Sequence, residues 1–121
     1  MFAGAWKDAV ITFGTDDDLT PEVDLGGYFD HVLVLVPVLE NATVALHIGD
    51  LDSEDEADSR TFYPVHAFDD DATGSFAHAT TADTAVKAVI FKAGCARFIK
   101  IMTGAGQSAN RTFKVRGLNL A

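Results

Sequence analysis

Cysteine is almost missing from this sequence. Cys95 stands alone among 121 residues, so an internal disulfide framework is excluded and stability has to come from a packed core. A lone thiol also favours synthesis in a reducing compartment. Long apolar runs are missing too. None approaches the roughly 20 residues that a membrane helix needs, so no membrane partner is expected. Met1–Trp6 is apolar, but Lys7 and Asp8 cut it short, and no secretory signal is expected there.

Acid is absent beyond Asp83, and base is scarce before it. Residues 1–83 hold all eighteen Asp and Glu against Lys7 and Arg60, a balance of −16. Residues 84–121 hold seven Lys and Arg and no acid, a balance of +7. The net charge of −9 argues against general nucleic-acid binding, which needs a basic footprint. The split permits two arrangements. Either late basic strands lie beside early acidic ones and the charges compensate within the fold, or the basic region faces an acidic surface on another copy or another protein.

Recognisable catalytic motifs are also missing. No nucleophile elbow, phosphate loop or dinucleotide fingerprint occurs, and Gly104-Ala105-Gly106 lacks the helix such motifs require. Cys95 follows Gly94 in a turn with no base assigned to it, so it reads as a small apolar residue rather than a nucleophile. His31, His47, His66 and His78 lie on four segments without metal-ligand spacing. The loop Gly49–Ser59 carries six acids in eleven residues and invites a calcium reading. A helix-flanked calcium loop, however, needs Gly at its sixth position and Glu at its twelfth, and Asp55 and Thr61 stand there. A solvated loop is the better reading. The expectation is a protein with no catalytic residues, no cofactor and no metal.

What is present is strand. His31-Val32-Leu33-Val34-Leu35-Val36-Pro37 is too short to span a membrane and too β-branched to favour a helix. Alternation puts Val32, Val34 and Val36 on one face and Leu33 and Leu35 on the other. Both faces are apolar, so both are expected to be covered, one of them by a loop, a sheet edge or another protein. Leu33 and Leu35 are therefore candidate partner-binding residues, together with the cations Lys100, Lys114 and Arg116.

Around this centre the chain reads as short strands. Val10–Phe13 ends at Gly14 and the turn-like Asp16-Asp17-Asp18. Val23–Leu25 is broken or bulged by Gly26-Gly27, and the central strand runs from about Phe29 to Val36. Thr43–Ile48 alternates Val44, Leu46 and Ile48 inward and is expected to form a hairpin with the central strand. Thr61–His66 contains Pro64 and so belongs at an edge or bulge. Phe76–Thr80 is a weak strand; in Ala82–Phe91 the stretch Ala82–Ala88 tolerates a helical turn, but Val86–Phe91 looks more like strand. After a turn through Gly94, Arg97–Thr103 faces Ile99 and Ile101 one way and Phe98, Lys100 and Met102 the other. Arg111–Leu118 closes the chain with Phe113 and Val115 inward and Lys114 and Arg116 outward. This pattern predicts a single all-β domain over residues 1–121, an antiparallel, jelly-roll-like β-sandwich of eight or nine short strands.

Ile11–Thr15, Val23–Tyr28 and Val32–Pro37 resemble the opening of small β-sandwich proteins encoded among bacteriophage structural proteins. Thr61–Tyr63 and Ala96–Ile101 are similar to that group's middle and late strands, and Asn110–Val115 to its closing strand. The loop Gly49–Arg60 departs from the group, which has a tight Asp-Gly turn there. The resemblance implies a head decoration, cement or fibre-associated protein without catalytic residues. It would sit on the capsid surface after assembly in the host cytoplasm. The partners implied are the major capsid protein and further copies of the chain in a small homo-oligomer such as a trimer. A carbohydrate-binding module is the alternative, with Trp6, Tyr28 and Tyr63 as the aromatics carrying a polar handle.

Overall fold

The computed structural model describes residues 1–40, 42–51, 59–65 and 86–120. Alternating β-branched and aromatic residues form seven strands there: β1 (Phe2–Ala3), β2 (Lys7–Ile11), β3 (Val23–Val36), β4 (Val44–Gly49), β5 (Phe62–Pro64), β6 (Lys87–Thr103) and β7 (Arg111–Asn119). They join one sheet in the order β1-β7-β3-β6-β4-β5, with β2 on the same edge of β7 as β1. Every pairing is antiparallel. The all-β antiparallel expectation holds.

The expectation of eight or nine short strands is corrected: the described residues contain seven, and two of them are long. Gly26-Gly27 does not end a strand. β3 continues through it with a register shift against β6, a bulge rather than a break. Nor does Gly94 end one. Gly94 and Cys95 both take positive φ, 64° and 69°, and β6 runs on through this second bulge. The weak strand expected at Phe76–Thr80 lies outside the described residues, as do residues 82–85 of the segment Ala82–Phe91, whose remainder, read as more strand-like, enters β6 from Lys87.

These bulges bend the sheet over its own core. Ile11, Val32, Val34, Val44, Leu46, Ile99, Ile101, Phe113 and Val115 are all fully buried and belong to one cluster. They come from strands at both ends of the sheet, and among the described residues no helix covers them. The two halves of the bent sheet therefore cover each other, in the manner of a sandwich. Leu39 and Ala42, between β3 and β4, plug one end of the core.

The hairpin expected between β3 and β4 does not form. β6 lies between them, paired with β3 through Val32↔Phe91 and Val34↔Val89 and with β4 through Leu46↔Ile101. The inward faces are nonetheless as expected, since alternation fixes the face of each residue whatever strand lies alongside. Pro64 does sit on the edge strand, β5.

Candidate functional site

The inner side of the β7–β3–β6 region is core, and its outer side is the most distinctive surface in the molecule. Directly opposed residues of an antiparallel pair share a face, so the register lays this surface out in rows. In one row Lys92 of β6, His31 of β3 and Leu118 of β7 lie side by side. In the next are Ile90, Leu33 and Arg116, and in the third Ala88, Leu35 and Lys114. β2 extends the third row with Asp8.

Four of the five candidate partner-binding residues thus meet on one face: Leu33, Leu35, Lys114 and Arg116. The fifth, Lys100, lies on the part of β6 that pairs with β4, opposite His47, with its Nζ 4.6 Å from the centre of the Phe62 ring. Partial burial, and then the Lys100 charge, hold the His47 imidazole below its usual pKa. Neutral His47 and cationic Lys100 form a local structural pair, separate from the β7–β3–β6 face.

The expectation that both faces of the central strand are covered is met on one side only. Val32, Val34 and Val36 are buried, whereas Leu33 is half-buried and Leu35 is 38% exposed. Arg116 and Lys114 stand beside the two leucines in the register. Ile90, 49% exposed, and Val86, 72% exposed, extend the apolar strip. At its end Leu35, Pro37, Val86 and Ala88 line an open groove of about 460 Å³ flanked by Lys87 and Lys114. Val86–Phe91 reads as more like strand, but the sequence does not show that it lies beside the central strand and brings Ile90 to this face. The alternation Ala88, Ile90, Lys92 was the available signal.

The charges around this face are partly used within the chain. Lys114 Nζ lies 2.6 Å from Asp8 Oδ1, with both side chains about half exposed. Arg116 donates twice to the Gly4 carbonyl, at 3.0 and 2.8 Å, and stacks 4.7 Å over the Trp6 ring, tying the β1–β2 arm to β7. Elsewhere Arg97 pairs with Asp24 at 2.9 Å and holds its carboxyl below the usual range. Arg111 approaches Glu40 at 3.9 Å. Ser108, donating from both its amide and its hydroxyl, keeps the Glu40 carboxyl low. Arg60, fully buried, forms a bidentate pair with Glu22 and stacks on Phe98. Lys87 and Lys92 make no ion pair among the described residues.

The aromatics with a polar handle remain dispersed. Trp6 lies under Arg116 and Tyr63 is on the β5 edge. Tyr28 lines a separate groove of about 380 Å³ with Phe2, Lys7 and Asn119. Most of the acidic loop, residues 52–58, lies outside the described residues, as do His66 and His78. Among the described residues no group of three His, Cys, Asp or Glu side chains is placed to hold a metal ion. No helix in the described residues is long and apolar enough to cross a membrane. Compared with protein-family models, curated proteins and solved structures, the chain matches none.

Proposed function

We propose that this chain is a non-catalytic structural protein of a bacteriophage particle, a decoration or cement protein that binds the major capsid protein on the head surface. One observation carries the reading. The outer face of β7–β3–β6 presents exposed Leu35 and Ile90 amid Lys92, Arg116 and Lys114, in a protein whose overall charge is strongly acidic. An apolar strip rimmed mainly by cations, with Asp8 paired to Lys114 at one edge, has the character of a protein-contact surface. The identity of the contacted protein comes from the resemblance of the strand motifs to phage structural proteins. In this reading the face works by burial and charge matching, with no cofactor.

The test is co-sedimentation of the purified protein with heads that lack it. Wild type is expected to pellet with the heads and to raise their resistance to heat. Ile90→Asp with Lys92→Glu is expected to abolish pelleting while leaving the melting temperature of the free protein within a few degrees. Unchanged pelleting by that variant, or none by wild type, refutes the reading.

A second reading rests on the Phe2–Tyr28 groove, where two exposed aromatics border Lys7 and Asn119 as a sugar-binding platform would. Retention on a glycan array, lost on Tyr28→Ala, would favour it over capsid binding.

A further inference from the structure

One end of the molecule carries a projection and, next to it, a recess of opposite charge. The projection is the turn from Phe13 to Asp18 that follows β2. Phe13 is 54% exposed, and Asp16 and Asp17 are exposed beside it. The turn is well anchored. Phe13 N donates to Asn110 Oδ1 at 2.9 Å and Gly14 N to Asp17 Oδ1 at 2.8 Å. The carbonyls of Asp17 and Asp18 accept from Gln107 N and Thr103 N at 2.9 and 2.8 Å. It is a fixed knob with an apolar tip and three carboxylates. Partial burial and the neighbouring Asp16 push the Asp18 carboxyl above its usual range, an unfavourable crowding that an incoming cation relieves.

The recess is the groove of Leu35, Pro37, Val86 and Ala88 with its rims Lys87 and Lys114. Thr112 forms part of its wall and pairs with Val10 of β2, three residues before Phe13.

Two copies of a basic face laid directly together repel. A knob of opposite charge beside the groove removes that difficulty. If two copies meet about a twofold axis between knob and groove, each knob enters the other's groove, and every contact is made twice. We propose that the chain forms a reciprocal twofold dimer in which the Phe13–Asp18 turn of each copy fills the groove of the other. Phe13 lies against Leu35 and Val86, and the aspartates face Lys87 and Lys114. The inference rests on reading the sheet face as a protein-contact surface. It assigns the groove end to self-association and leaves the Ile90, Leu33 and Lys92 region to the capsid.

The test is sedimentation velocity and native mass spectrometry at micromolar concentration, with a melting curve for each variant. Wild type is expected to be a dimer that dissociates as salt rises. Phe13→Asp is expected to weaken it at least about thirtyfold, the loss of one anchoring side chain. Asp16→Lys with Asp17→Lys makes knob and groove both basic, and Lys87→Glu with Lys114→Glu makes both acidic. Each double variant alone is expected to be monomeric. Mixed in equal amounts they are expected to form a heterodimer, because both contacts are then of opposite charge. A monomeric wild type overturns the proposal, as does persistence of the dimer in either charge variant alone or a mixture that stays monomeric. Co-sedimentation with heads, read separately through the Ile90 and Lys92 variant, shows whether the capsid reading stands or falls independently.

Discussion

Phe29 occupies its place in the core because two side chains are missing around it. The ring is 4% exposed and lies against Gly117 of β7 and Gly4 of the segment joining β1 to β2. A Cβ on Gly117 would overlap the ring itself, and one on Gly4 would come within 2.8 Å of Cζ. The two glycines are also linked, Gly4 N donating to Gly117 O at 2.9 Å. Gly117 lies outside the left-handed region, so its backbone accepts alanine and the cost of Gly117→Ala is purely steric. The groove lined by Phe2, Leu25 and Tyr28 lies beside the ring and can receive it if it is displaced. Exposing it there forfeits about 1.5–3 kcal/mol of burial, and an off-rotamer side chain adds about 0.5–1.5 kcal/mol. The expected loss is about 2–4 kcal/mol, at the upper end for an overpacked core. For a domain of this size that corresponds to a melting temperature roughly 8–16 °C lower. Urea unfolding with an unchanged m-value measures it. Phe29→Leu makes room for the new methyl, so the double variant is expected to fall short of additivity by at least about 1 kcal/mol. Gly117→Ala within about 0.5 kcal/mol of wild type, or an additive double variant, refutes the packing argument.

Three further outcomes follow from individual sites. Cys95 holds a left-handed φ of 69° that costs a side-chain-bearing residue about 1–2 kcal/mol, so Cys95→Gly is expected to stabilise the fold by a few tenths to about 1 kcal/mol in urea after the glycine entropy is subtracted. The Asp24 carboxyl is held low mainly by its hydrogen bond from Arg97, so its contribution is present above the unfolded pKa and lost as pH falls through the folded one. Asp24→Asn is therefore expected to lower stability near neutrality and to flatten the loss below about pH 4, in melts taken across pH. Arg116→Gln removes the stacking on Trp6 and at least one hydrogen bond to Gly4, and a red shift in the emission of this single tryptophan is expected to report release of the arm.

Side-chain alternation was legible from sequence because it depends only on local geometry. Phe113 and Val115 face in, Lys114 and Arg116 face out, and Val44 and Leu46 are buried, as expected. Strand length was not legible, because turns and bulges use the same residues. Gly94 reads as a turn and Gly26-Gly27 as either a break or a bulge, and in both places the ladder resumes beyond the irregularity. Strand neighbours were not legible either. Adjacency in sequence suggested a β3–β4 hairpin, while the match that forms places β6 between them, some 50 residues further along the chain. The candidate face was half visible. Leu33, Leu35, Lys114 and Arg116 were found through their strands; Val86–Phe91 was legible as strand, but not its place beside the central strand, which brings Ala88 and Ile90 to the same face.

The division of charge along the chain has its explanation in this strand order. β6 carries Lys87, Lys92, Arg97 and Lys100, and β7 carries Arg111, Lys114 and Arg116. The two are consecutive strands joined by a short loop, so a hairpin between them is the cheapest local pairing. It would set Arg97 and Lys100 beside Arg111, Lys114 and Arg116, with Lys100 close to Lys114, and like charges directly opposed across a sheet are destabilising. The observed sheet places β3, with Asp24 and Asp30, between them, and β2, with Asp8, on the far edge of β7. Asp24–Arg97 and Asp8–Lys114 become ion pairs across neighbouring strands. Exposed pairs of this kind contribute about 0–1 kcal/mol each, too little to hold the fold together. Their larger effect is on the competing topology, which gains repulsion where the native one gains attraction. The acidic first half and basic second half thus act as a sorting rule that favours long-range pairings over the local hairpin.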